Sequence, residues 1–194
     1  MDAAETSAGG AGYLRNQFLV AMPSLDDEQF GQTVTLLCEH NNEGALGLVV
    51  NRPTDLKLAE MLDHLGLDAS HYGDTSPPVF WGGPVQPERG FVLHAEPGDW
   101  DATLAIGERL HVTTSRDILD ALAAGNGPQN YIVLLGYAGW DAGQLEDEIL
   151  GNAWLNTPVD QQILFDTPST ERWQAATRLL GVDFTQIGTG HGHA

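Results

Sequence analysis

An α+β fold, one compact domain with a mainly antiparallel sheet and about four helices packed around it, is predicted by three features of the sequence. Short β-branched and apolar runs recur, with Gly, Pro and Asn punctuation between them. Helix-period stretches interrupt those runs only occasionally, without the regular alternation that a doubly wound sheet requires. A chain of 194 residues, 42% hydrophobic and 18% charged, is also long enough to build one core without metal or disulfide staples.

The first strand is predicted at residues 18–22, an apolar run stopped by Pro23. Alternation places a second at 33–38, and turn chemistry at 41–44 (NNEG) joins it to a third at 45–50. A helix follows, with Thr54 as N-cap after Pro53, Leu56, Ala59, Leu62 and Leu65 at three-residue steps, and Gly66 as its stop. Residues 68–78 read as loop, and 79–81, 90–94, 102–106 and 110–113 as short strands of an antiparallel sheet. Thr114 or Ser115 caps a second helix carrying Ile118, Leu119, Leu122 and Ala123, which ends near Gly125.

Residues 131–135 form the most apolar strand and are expected at the centre of the sheet. A third helix is expected to open within 142–145, because Glu146, Asp147 and Glu148 then place negative charge in a first turn, where the helix dipole favours it. Residues 159–165 read as a strand. Thr167 and Pro168 open a fourth helix with Trp173, Ala176, Leu179 and Leu180, closed by Gly181. Residues 1–12 are expected to be a flexible arm, 13–187 the single domain and 188–194 a tail.

Eight basic residues stand against 27 acidic ones, a formal net charge of −19. That field repels phosphate backbones, and the bases are scattered singly, whereas a DNA reader gathers on the order of 6–10 phosphate contacts on one surface, so direct nucleic-acid binding is disfavoured. The acidity reads as solubility in a salty cytoplasm rather than as a surface for a basic partner. No apolar run approaches the roughly 18 residues of a membrane helix. The N-terminal residues have neither a positive region nor an apolar stretch, and the lone Cys38 has no disulfide partner, so a cytoplasmic location is expected.

Chemistry-bearing groups are sparse. Period two along a strand places Cys38 and His40 on one face with Glu39 on the other, a conceivable nucleophile and base, although a lone cysteine is more commonly a small buried hydrophobe. There is no HExxH motif and no second cysteine; His191 and His193 lie in the tail, and neither metal nor cofactor is expected. Asn51, Arg52 and Pro53 lie where a strand hands over to a helix, a place where anions meet helix N-termini, with ordinary turn chemistry as the alternative. The strings 82–84 (GGP) and 136–140 (GYAGW) read as glycine loops where backbone can approach a ligand closely, without the spacing of a phosphate cradle. Ser115, ahead of Arg116 and Asp117, reads as a helix cap.

Several strings together resemble the YqgE/AlgH family of bacterial proteins: FLVAMP at 18–23, CEHN at 38–41, NRP at 51–53, GGPV at 82–85, RGFVLH at 89–94, TSRD at 114–117, LGYAGW at 135–140, GQLE at 143–146 and NAWL at 152–155. Thr33 and Ala153 stand where that family often has serine. The resemblance implies a cytosolic bacterial protein of compact α+β architecture, in a family catalogued as uncharacterised and labelled a transcriptional regulator through a genetic link to alginate production. It carries no catalytic residue over to this chain.

Three functions compete. The favoured one is a regulatory binding module that acts indirectly through a protein partner or a small ligand, with Glu39, His40, Asn51, Arg52, Arg89, Arg116 and Trp140 as its binding residues. It requires exposed glycine loops near Gly82 and Gly139 with a pocket between them. An enzyme is the second, and it requires Glu39, His40, Arg89, His94 and Arg116 to converge. A structural or assembly protein is the third.

Overall fold

The computed structural model describes residues 13–182. The arm expected at 1–12, the tail at 188–194 and the pair His191 and His193 lie outside the described residues. Among the described residues ten strands form one curled sheet, eight of them in the order β10-β1-β2-β3-β9-β6-β8-β7. They are β1 (Gln17–Ala21), β2 (Val34–Asn41), β3 (Gly44–Val49), β4 (Pro53–Lys57), β5 (Pro78–Trp81), β6 (Val85–His94), β7 (Thr103–Gly107), β8 (Leu110–Thr113), β9 (Tyr131–Asp141) and β10 (Trp154–Pro158). All neighbours on that path are antiparallel; β5 adds to β9 in parallel and carries β4 on its other edge. The α-helices among the described residues are α1 (Leu58–His64), α2 (Asp117–Ala123), α3 (Gln144–Leu150), α4 (Gln161–Phe165) and α5 (Arg172–Leu179), and all but α4 run seven residues or more. None is long and apolar enough to cross a membrane.

The curl brings distant edges together. Arg15, just before β1, donates to the Ala105 carbonyl on β7. Inside the curl lie Phe18, Leu36, Leu48, Phe91, Leu93, Ile132 and Leu134, with Ile163 and Leu164 of α4 and Ala176 of α5 packed against them. Two further clusters cover the outer faces: Leu58, Leu62, Ile118 and Leu122 of α1 and α2 pack on Val79, Val92 and Val133, while Leu145 of α3 packs with Trp140 and Trp154. Each fully buried leucine contributes roughly 1.5–3 kcal/mol relative to exposure.

Three expectations are corrected. Residues 53–57 are strand, and the helix starts at Leu58: Pro53 pairs with Phe80, Lys57 pairs with Pro78, and the Thr54 hydroxyl donates to the Val79 carbonyl at 2.6 Å instead of capping. Pairing with the β5 edge satisfies backbone groups that an early helical turn would leave open. Residues 159–165 are not a strand. The strand beside β1 is 154–158, ending on Pro158, which an edge strand tolerates. Asp160 then caps α4 by accepting the Gln162 N–H at 2.9 Å. Finally, 136–140 is no loop: β9 runs through it, with β6 along one edge as far as Tyr137 and, on the other edge, β5 at 134–135 giving way to β3 at 138–141. Gly136 allows this, since a Cβ there would overlap the Gly83 carbonyl.

Candidate functional site

The open mouth of the curled sheet holds a cavity of about 510 Å³. Cys38 and Glu39 (β2), Leu46 (β3), Arg89 and Phe91 (β6) and Leu104 (β7) line it, with Asp101 and Thr103 at its rim. A second cavity of about 460 Å³ continues from it past Glu39 and Leu46 to Tyr137 and Gly139. The mouth of a barrel-like sheet is a recurrent place for small-ligand sites.

A β-bulge between Leu37 and Glu39 shapes this mouth. It breaks the period-two alternation, so Cys38 and Glu39 both reach the cavity while His40 turns outward toward α3. The expected placement of Cys38 and His40 on one face is therefore wrong. His40 Nδ1 accepts the Leu14 N–H at 2.9 Å, which leaves the proton on Nε2, donated to the Glu146 carboxylate. Burial, with the Glu39 charge adding to it, pushes the Cys38 thiol up to about 12. That thiol is inert at neutral pH.

Arg89 is exposed, and its guanidinium lies 5.1 Å from the Phe91 ring centroid and 5.9 Å from that of Tyr137. The two rings meet edge to face at 6.0 Å. Among the described residues Arg89 makes no hydrogen bond or ion pair, so aromatic stacking holds it while its in-plane N–H groups stay available.

The other expected site residues make hydrogen bonds within the fold, and Trp140 also borders the second cavity. Asn51 Oδ1 accepts the Val34 N–H at 2.9 Å, and its amide donates to the Gln32 carbonyl at 3.0 Å. Arg52 donates to the Gly31 carbonyl. The Trp140 indole N–H is donated to Glu148 at 3.2 Å. Arg116 lies on the opposite side of β6, donating to the Leu65 carbonyl at 2.7 Å. Gly82 and Gly83 are buried, not exposed loops.

His94 is fully buried, its Nδ1 donating to the Glu96 carbonyl at 2.7 Å and its Nε2 2.8 Å from Thr113 Oγ1. Burial holds its pKa below the ordinary histidine value. Glu39, His40, Arg89, His94 and Arg116 thus do not converge; only Glu39 and Arg89 share a cavity. Among the described residues no three His, Cys, Asp or Glu side chains are grouped to hold a metal. The sequence reading missed Asp101, Thr103, Phe91 and Tyr137, and only the run RGF, which sets a base two residues from an aromatic on one strand face, could have signalled the stack.

A family model described as AlgH-like matches residues 18–185. The chain belongs to that family. It is 50% identical over 182 residues to a UPF0301 protein of Nitrosococcus oceani, covering 94% of this chain and 97% of that one. A UPF0301 protein of Thioalkalivibrio sulfidiphilus is 53% identical over 179 residues, with coverage of 92% and 96%. Among solved structures, the solution structure of the AlgH protein from Pseudomonas aeruginosa is similar at a TM-score of 0.77 and 48% identity, covering 94% of this chain and 97% of that one. A crystal structure of a Corynebacterium diphtheriae protein shares the fold at a TM-score of 0.68 and 20% identity, with coverage of 85% and 86%.

Proposed function

We propose that this AlgH-like protein is a binding module whose ligand sits in the mouth of the curled sheet and presents a small anion, a carboxylate or a phosphate, to Arg89. The observation that carries the reading is the guanidinium of Arg89, stacked on two rings and free of hydrogen bonds among the described residues, in a chain where acids outnumber bases 27 to 8. An arginine braced by two rings loses little freedom when it forms a bidentate pair with an oxyanion. Leu46, Phe91 and Leu104 supply apolar walls for the ligand's carbon skeleton, and Glu39 and Asp101 supply acceptors for its donors.

Binding is favoured over catalysis because the candidate bases are occupied: His40 and His94 each use both ring nitrogens, and the Cys38 thiol stays protonated. The net charge of −19 disfavours direct contact with DNA, so any influence on transcription runs through the bound ligand.

Titration of the isotopically labelled full chain with 3-phenylpropionate and with phenyl phosphate, followed by amide NMR, tests the reading. Saturable shifts should centre on Glu39, Leu46, Arg89, Phe91 and Thr103. Arg89→Gln should weaken binding by roughly 10- to 100-fold, the value of one charge-assisted hydrogen-bonded pair. Unperturbed amides in this set, or equal affinity in the variant, would sink the proposal.

A further inference from the structure

We infer that the outer face of β6 carries a second ligand site, for a small amphipathic monocarboxylate whose hydrocarbon body fills an apolar cavity over Gly90 and whose head group meets Arg116. This site is separate from the mouth. Arg89 and Gly90 are consecutive on β6, and the cavities they line are divided by Phe91, which borders both.

The argument starts from the glycine. Gly90 sits inside β6, paired with Leu135 of β9, where a glycine weakens a strand relative to alanine. Gly44 and Gly136 in this sheet, and Gly82 and Gly83 beside it, have a steric reason, since a Cβ there would overlap a neighbouring backbone, whereas Gly139, like Gly90, meets only ordinary side-chain contacts. A Cβ at Gly90 would meet only a Leu135 methyl group, at 4.0 Å, and the backbone there does not have a positive φ. Gly90 borders a register shift in the β6–β9 pairing, yet neither a positive φ nor close packing calls for a glycine at the position itself. What the missing side chain does provide is space.

That space is a cavity of about 390 Å³, bounded by Met61 of α1 and Leu65 just past its end, Leu119 of α2, and Val133 and Leu135 of β9. It lies in the lower part of the size range of small-molecule sites and is lined mainly by apolar side chains, as such sites are. Met61, Leu119 and Leu135 are only half-buried and Leu65 is exposed, so an occupant would remove apolar surface from water that the fold leaves uncovered.

The polar end selects the head group. Arg116 is tethered by one nitrogen to the Leu65 carbonyl at 2.7 Å, and its Nε lies 3.9 Å from Asp120, too long for a hydrogen bond. Its remaining N–H groups are open at the cavity rim. Glu88 stands on the same rim, and its charge sets a limit: a single carboxylate can be seated at Arg116, whereas a dianion is repelled.

The probes are decanoate and decanol, each titrated calorimetrically into the full chain below its micelle or solubility limit. Decanoate should bind saturably at the outer-face site, in addition to any binding at the mouth, which also suits a carboxylate. Gly90→Leu, which fills the cavity from the sheet, should weaken decanoate roughly tenfold or more while leaving the melting temperature unchanged or higher. Leu119→Trp fills it from α2 and should weaken decanoate as well, which guards against a folding defect in the first variant. Arg116→Gln should weaken decanoate about three- to fivefold, the range of an exposed ion pair, and leave decanol within about twofold. Glu88→Gln should strengthen decanoate. Absence of saturable decanoate binding, or wild-type affinity in both filled variants, overturns the site; equal losses for decanoate and decanol in Arg116→Gln overturn the head-group assignment. The same titrations are run in the Arg89→Gln background, which removes the carboxylate partner of the mouth: decanoate binding that persists there and is lost on adding Gly90→Leu belongs to the outer face, so failure of the mouth site and failure of this one are read separately.

Discussion

The Nε2 of His94 lies 2.8 Å from the Oγ1 of Thr113, which in turn lies 2.8 Å from the Oγ1 of Thr103 at the rim of the mouth. Since Nδ1 donates to the Glu96 carbonyl, neutral His94 accepts from Thr113, and Thr113 accepts from Thr103. Protonation reverses the chain: His94 donates to Thr113, Thr113 to Thr103, and Thr103 to the Trp100 carbonyl at 3.2 Å.

Burial opposes that protonation, and His111, stacked at 5.4 Å, adds to the opposition, while the Glu96 carbonyl and carboxylate favour the charge. Because the folded-state pKa lies below the ordinary 6.5, the unfolded chain takes up this proton first. The stability contributed by neutral His94 is therefore complete above pH 6.5 and is lost as the pH falls from there through the folded value. Urea midpoints measured from about pH 7.5 down to about pH 5 should fall, and His94→Gln should flatten that slope. An identical slope in the variant would assign the effect to another group.

Glu148 anchors two tryptophans. Its Oε1 accepts the indole N–H of Trp140 at 3.2 Å and of Trp154 at 3.0 Å, and its Oε2 accepts from Gln144 at 3.0 Å. Both indoles are buried, so Glu148→Ala leaves two donors without a partner at about 1–3 kcal/mol each. Glu148→Gln keeps a carbonyl oxygen for the indoles and should cost less than half as much. Chemical denaturation followed by tryptophan fluorescence measures both, and equal losses in the two variants would show that carboxylate charge, not acceptor geometry, holds the pair.

How much of this was legible depends on how local the cause is. The strands at 18–22, 33–38, 45–50 and 131–135 follow from alternation and turn residues, and the structure has strands there with bounds shifted by one residue or, in β2 and β9, extended at the C-terminal end. Residues 53–57 were misread because a three-residue apolar spacing identifies a helix but not its first turn, and the β5 edge that captures Pro53 lies 27 residues away in sequence, at Phe80.

In the candidate site, Glu39 and Arg89 line one cavity because β2, β3, β9 and β6 stand side by side in the curl, and no local pattern encodes that. His40, Asn51, Arg52 and Trp140 attract attention as polar or aromatic residues in short distinctive strings, yet their hydrogen bonds close the fold. Arg172 shows the converse. It reads as an ordinary helix base, but it is buried, donating to the Val50 carbonyl at 2.5 Å and the Thr167 carbonyl at 2.9 Å with its guanidinium 5.2 Å from the Phe80 ring centroid.

Gly83 and Gly66 should respond very differently to alanine. At Gly83 a Cβ would overlap the Tyr137 carbonyl group, a backbone held on both sides in the sheet. Gly83→Ala should cost more than about 3 kcal/mol and lower the soluble yield sharply. Gly66 has a φ of +79° with nothing within 4 Å of the added carbon, so Gly66→Ala should cost only the left-handed backbone penalty of about 1–2 kcal/mol. Thermal melts of the two variants decide this, and a mild Gly83→Ala would mean that the β5–β6 connection can move away from β9.

Cys38 offers a chemical readout of the same mouth. The residue is only 2% exposed, and burial raises the thiol to about 12, so native protein at neutral pH presents very little thiolate. Compared with an unfolded cysteine of pKa about 8.5, the thiolate fraction alone slows iodoacetamide by roughly three orders of magnitude. Mass spectrometry of the alkylated chain across a urea series should therefore show labelling that tracks global unfolding, with no fast phase in native buffer. Because Cys38 lines the cavity beside Glu39 and Arg89, a fast native phase would mean that the mouth opens independently of the core; suppression of that phase by an anion acting through Arg89 would tie the opening to the ligand site.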